Sequence, residues 1–117
     1  MPIWETEPVS RQPTLTLRPW RVMQLPDGDR HLLGYCVENG EGRVSSAIRS
    51  FDPERGVVET RTGRAYVLKG LPGSNLDAEY VWRAWLRVNE LEKAKDVSAE
   101  VARVMADSSG QSSASDT

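Results

Sequence analysis

A few side chains between positions 31 and 52 have the types needed for hydrolysis: His31, the pair Ser45-Ser46, Arg49 and Asp52. A serine becomes a nucleophile only when a histidine sits within hydrogen-bond reach and an acid orients that histidine. No G-x-S-x-G elbow frames either serine, and His31, the sole histidine, lies beside a turn. These residues therefore read as the solvated face of a strand. Cys36 stands mid-strand between Tyr35 and Val37, with no nearby base or helix start to make its thiolate. It is expected to be buried and inert. One cysteine rules out an internal disulfide, and one cysteine with one histidine leaves little for zinc or haem. Asp27 and Asp29 flank a glycine without the ligand spacing of a calcium loop. Gly40, Gly42, Gly56, Gly63, Gly70 and Gly73 are scattered singly and form neither a phosphate loop nor G-x-G-x-x-G. The expectation is a protein with no catalytic residue, no cofactor and no metal, and so not an enzyme.

Residue types suited to binding are more prominent. Four tryptophans in 117 residues is a high count, and two of them fall in one helical stretch. There Val81, Ala84, Trp85, Val88 and Leu91 recur at helical spacing and should face a core. Trp82 and Leu86 lie off that stripe, with Arg83 and Arg87 in a parallel row. A tryptophan and arginines beside an apolar neighbour are the usual material of binding hot spots. Trp82, Leu86, Arg83 and Arg87 are thus the candidate protein-binding residues; the alternative is that Trp82 packs under the N-terminal arm or against a wide sheet. A second set, Arg43, Arg49, Arg61 and Arg64, comes from neighbouring segments and could gather into a patch for a phosphate or an acidic surface. With Tyr35, Phe51 and Tyr66 as stacking residues, that patch would suit a single-stranded nucleic acid. The competing expectation is cross-strand pairing with Glu38, Glu41, Asp52 and Glu59.

Charge weighs against nucleic acid as the main partner. The formal net charge is −2, and no basic stripe of the kind nucleic-acid binders carry is present. Residues 15–70 are mildly basic and residues 71–117 acidic. Arginine far outnumbers lysine, a bias typical of GC-rich genomes. No apolar run approaches the roughly 20 residues needed to cross a bilayer. No basic start followed by an apolar stretch suggests a secretory leader. A lone thiol fits a reducing compartment, so the expected location is the cytoplasm.

The elements that must position these residues follow from turn signals. Residues 1–14 carry Pro2, Pro8 and Pro13 and read as an extended arm. Strand-like runs at 15–25, 31–38, 43–52, 57–62 and 65–70 are separated by Asp27-Gly28, Asn39-Gly40, Asp52-Pro53 with Gly56, and Thr62-Gly63. Leu15 and Leu17 share one parity while Trp20 and Val22 share the other, which places a bulge or an edge position at Pro19. Five short strands joined by tight turns predict a small SH3-like, five-stranded antiparallel barrel, since closure removes the sheet edges. An open sheet crossed by a helix is the alternative. Ser74 and Asp77 then start a helix over 76–93, and Ser98 starts a short one over 99–107. The Ser-rich segment 108–117 cannot offset its own ordering entropy and predicts a disordered tail. One domain, 15–107, lies between arm and tail.

The segments GYCVENGEGRVSSAIRSFD (34–52), TRTGRAYVLKGLPG (60–73) and DAEYVWRAW (77–85) resemble small plasmid- or phage-borne accessory proteins of GC-rich proteobacteria. The resemblance carries no catalytic motif. It implies a protein that acts by attaching to a larger bacterial protein or complex, for instance as a counter-defence inhibitor of the anti-CRISPR kind. The expected function is therefore non-enzymatic protein binding, with single-stranded nucleic-acid binding by the barrel face as the alternative. A homodimer through the Trp82 and Leu86 strip is a further expectation for the same surface, opposed by the like charge of Arg83 and Arg87.

Overall fold

A computed structural model describes residues 13–115, with side chains through Ser108. The expectation for the arm, save its last two residues, lies outside the described residues. Five strands come first: β1 (Thr14–Gln24), β2 (Arg30–Cys36), β3 (Glu41–Asp52), β4 (Val57–Thr60) and β5 (Ala65–Leu68). They are followed by α1 (Leu76–Val88), the two-residue strand β6 (Lys95–Asp96) and α2 (Ser98–Ser115). The chain forms a closed five-stranded barrel with two C-terminal helices. Each pair from β1–β2 to β4–β5 is antiparallel, whereas the closing seam β1–β5 is parallel, from Thr14 against Ala65 to Leu17 against Leu68. Simple parity explains the difference from an all-antiparallel barrel. Each tight turn reverses direction, so the first and fifth strands of a meander run the same way and can close only in parallel.

One strand must then serve two neighbours of opposite sense. β1 does so with its two edges, Leu17 pairing Cys36 on one and Leu68 on the other, and its ladder with β2 then breaks register between Leu17 and Trp20, where the sequence pattern places a bulge or an edge position. The break switches parity, so Leu15, Leu17, Trp20 and Val22 all enter one core with Leu32, Cys36, Val58, Tyr66 and Leu68. Gly34 makes room for the break. A Cβ there would lie 2.5 Å from the Pro19 carbonyl oxygen and 3.1 Å from the Trp20 Cα, a clash no side chain escapes because backbone is the neighbour. Trp20 anchors the bend by donating its indole N–H to the Gly70 carbonyl at 3.2 Å.

Both helices cover the barrel. α2 supplies Val97 (at its approach) and Val101 to the interior cluster, with Ala102 and Met105 packed against it. α1 lies on the outer wall, where Ala78, Val81 and Trp82 meet Met23, Leu25, Leu33 and Val44. Asn75 rather than Ser74 caps α1, accepting the Ala78 N–H at 3.0 Å. α1 ends at Val88, five residues before the expected stop. Glu90 takes a φ of 56° and donates its N–H to the Arg87 carbonyl, and Leu91 donates to the Leu86 carbonyl. This pair of bonds is a Schellman ending. It usually carries glycine at the left-handed position, and a glutamate there leaves no stop signal in the sequence. α2 continues to Ser115 instead of ending at Asp107, through residues whose composition predicts a disordered tail. Helical hydrogen bonds are local and can extend without an apolar partner.

Gly42 fixes where α1 lands. A Cβ at Gly42 would stand 2.3 Å from the Asp77 carbonyl carbon and 2.4 Å from the Ala78 nitrogen. The helix backbone thus rests directly on β3. Replacing Gly42 by alanine is expected to push α1 off the wall at a cost of roughly 3 kcal/mol, read from the urea midpoint. Gly63→Ala, at a φ of 90° with open space around it, should cost only about 1 kcal/mol.

Candidate protein-binding face

The hydrolytic residue types do not assemble a site. His31 Nδ1 lies 2.9 Å from the Ser45 carbonyl oxygen, not from a hydroxyl, and its ring sits 4.7 Å from that of Trp85. The Ser45 hydroxyl accepts the Leu32 N–H and donates to the Ser46 carbonyl. Cys36 is fully buried, and burial raises its thiol pKa despite hydrogen bonds and Arg43 acting the other way. Among the described residues, no three His, Cys, Asp or Glu side chains converge as metal ligands would.

The four barrel arginines do not form a surface patch. Arg43 is 6% exposed and donates from Nε to the Tyr66 hydroxyl at 2.7 Å, with its guanidinium 5.8 Å from that ring's centre. Arg64 is 4% exposed and has an interaction of its own. Arg49 pairs with Glu59 across β3–β4, and Arg61 reaches Asp29 at 3.2 Å. Two of the four are therefore interior, and the two exposed ones are occupied by carboxylates. Tyr66 is buried too, which removes it from any stacking surface. A barrel of five strands is narrow, so inward positions on β3 and β5 meet across it. Sequence spacing does not reveal that Arg43 is one of them.

α1 corrects the tryptophan assignment. Trp82 is 5% exposed and belongs to the second core, stacked at 5.3 Å on Trp85. Leu86 packs half-buried against the same cluster. The spare apolar strip expected there is therefore the docked face, against the barrel wall. Val88, expected in the core, is exposed instead. The buried arc runs through Ala78, Val81, Trp82 and Trp85, because the outer wall offers Leu33 and Val44 beside the Gly42 contact.

That docking leaves a different row facing solvent. Leu76 is 88% exposed and Tyr80 62%, and Arg83 and Arg87 follow on the same face at helical spacing. Among the described residues neither arginine has a carboxylate partner, whereas Arg21, Arg30, Arg49 and Arg61 all do. Arg87 gains from the helix C-terminal dipole, but Leu76 and Tyr80 gain nothing from water. A shallow notch of about 280 Å³ adjoins the row, lined by Gly40, Glu41, Gly42, Asp77, Tyr80 and Val81. Arg83 and Arg87, expected as binding residues, thus stay on the surface, while Trp82 and Leu86 are replaced by Leu76 and Tyr80.

The rest of the framework holds α1 rigidly. Arg21 on β1 bonds Glu79 of α1 and, from Nε and Nη2, Asp96 of β6 at 3.1 and 2.8 Å. Partial burial opposes the Arg21 charge, and the two carboxylates outweigh it and raise its pKa. Burial likewise opposes the Asp96 carboxylate, but bonds from Ser98 and Arg21 prevail and lower its pKa. Ser98 does not cap α2 with its hydroxyl; that oxygen accepts the Val22 N–H at 2.9 Å, and Asp96 accepts the Ser98 N–H instead. Comparison of the chain with protein-family models, with curated proteins and with solved structures finds no match. No described helix is long and apolar enough to cross a membrane.

Two measurements test these placements. Trp82→Ala should lose about 3–5 kcal/mol of stability, as core tryptophans do, while Tyr80→Ala should stay within about 0.5 kcal/mol of the parent. A folded-state pKa below the ordinary value adds stability that is full above the ordinary carboxylate range and lost as pH falls through the folded value. Stability should thus fall below about pH 4, and Asp96→Asn should flatten that decline by under about 1 kcal/mol, since the carboxylate is partly solvated.

Proposed function

We propose that this protein is a non-enzymatic binding module that attaches to a larger bacterial protein through the outer face of α1. The observation that carries the reading is the unpartnered row Leu76, Tyr80, Arg83 and Arg87 on a helix that the barrel holds in place. Aromatic and arginine side chains on a rigid element are the residue types that concentrate binding energy. The two unpaired arginines favour an acidic partner surface. The resemblance to mobile-element accessory proteins gives this a specific form: an inhibitor carried by a phage or plasmid, acting in the bacterial cytoplasm against a host machine, including a counter-defence role. Direct single-stranded nucleic-acid binding has less support, because the barrel arginines are buried or paired.

Affinity capture from host lysate should enrich a discrete protein with the parent chain and lose it with Tyr80→Ala/Arg83→Glu. Retention by that folded variant, or enrichment of nothing by either, refutes the assignment. A gel-shift titration with single-stranded DNA at about 50 mM salt, where counterion release favours binding most, should show no complex.

A further inference from the structure

We infer that the outer face of α1 is self-complementary and pairs with a second copy of this chain in an antiparallel two-fold contact. This rests on reading that face as a binding surface, and it adds what covers the face when no foreign partner is bound. The argument is the order of residues along the row. Leu76 and Tyr80 occupy the N-terminal half of the exposed face, and Arg83 and Arg87 the C-terminal half. Asp77 flanks Leu76, and Glu41 lies beside Tyr80 on the wall of the adjoining notch. Spacing within the row is symmetric: four residues, three residues, four residues. A two-fold axis through its midpoint therefore sets Tyr80 against Arg83 of the second copy and Leu76 against Arg87 of the second copy.

Each meeting is favourable. A guanidinium over a tyrosine face is a cation–π pair. The methylene stem of an arginine covers a leucine while its head group stays wet, and here that head group comes within reach of Asp77. Arrangements that align the two helices in the same direction instead place arginine on arginine, so charge selects the antiparallel one. Like-charge cost, which argues against a dimer built on an arbitrary two-fold, does not apply to this geometry. The surface is small. A 13-residue helix is about 20 Å long, and its face falls below the roughly 1,200 Å² of total burial that stable complexes need. The dimer is therefore weak and exchangeable, a state that a higher-affinity foreign partner displaces.

Sedimentation equilibrium of the full chain up to about 1 mM, the concentration where a contact of about 4 kcal/mol is half formed, decides the matter. The parent chain should show a reversible dimer. Arg87→Glu sets like charge against Asp77 of the second copy and should weaken association at least about tenfold. Asp77→Arg should do the same against Arg87. An equimolar mixture of Arg87→Glu and Asp77→Arg restores opposite charges across the interface, and association should return. Circular dichroism of each variant checks that it is folded. A parent chain that stays monomeric throughout overturns the inference, as does a dimer indifferent to both substitutions. Loss of lysate capture by Tyr80→Ala/Arg83→Glu in a strictly monomeric protein would overturn the dimer while sparing the binding assignment.

Discussion

An odd number of strands in a meander cannot close on itself in antiparallel fashion, and the rest of this molecule follows from that constraint. β1 meets β2 in one sense and β5 in the other. It satisfies both through its two edges, and the register break toward β2 between Leu17 and Trp20 sends four of its large apolar side chains into the same interior. Gly34 stands at the crossing because the Pro19 carbonyl occupies the space of a side chain. The position of β6 on the end of β1 and the entry of α2 are set by the same bent strand.

The barrel then dictates what α1 shows to solvent. Gly42 admits the helix backbone onto β3, and the cross-strand pair Leu33 and Val44 presents an apolar wall beside it. Arg21, with Glu79 and Asp96, ties α1, β1 and β6 together by charge. A helix held at its start by a backbone contact and along its length by Val81 and Trp82 packed on the barrel wall, with Trp85 against the His31 ring, has little freedom to roll. The face it exposes is consequently fixed, which is what a recognition surface needs if binding is not to cost further ordering.

The interior polar groups serve the same rigidity. Arg43 and Tyr66 join β3 to β5 across the barrel, and Ser45 and Ser98 each accept a backbone N–H from a neighbouring strand. No buried side-chain nitrogen or oxygen among the described residues lacks a partner. Replacing such a network piecemeal leaves orphaned donors, so these residues specify the fold more than they stabilise it. Their chemistry is directed inward, whereas α1 turns Leu76, Tyr80, Arg83 and Arg87 to solvent on one face.

The five barrel strands, their order and the turns were determined by the chain's own residues, because Asp-Gly, Asn-Gly and Thr-Gly encode local backbone geometry that needs no distant contact, whereas the two-residue β6 exists only by its pairing with β1. An irregularity at Pro19, a bulge or an edge position, was legible for the same reason, and the structure makes it a bulge: one extra residue in a ladder switches the parity of every side chain beyond it, and a proline marks where the ladder can be broken. The start of α1 was legible to within a residue, but its end was not, since Glu90 adopts a conformation that sequence assigns to glycine. Only tertiary structure decided the direction of the closing seam, the burial of Arg43, Arg64 and Tyr66, and the roll of α1 about its axis. Trp82, Trp85, Leu86 and Val88 form an apolar arc wider than one core face, and periodicity alone cannot say which edge of it is covered. The choice was made by Gly42 and Leu33, residues far away along the chain, because a helix turns toward whichever wall lets its backbone approach closest.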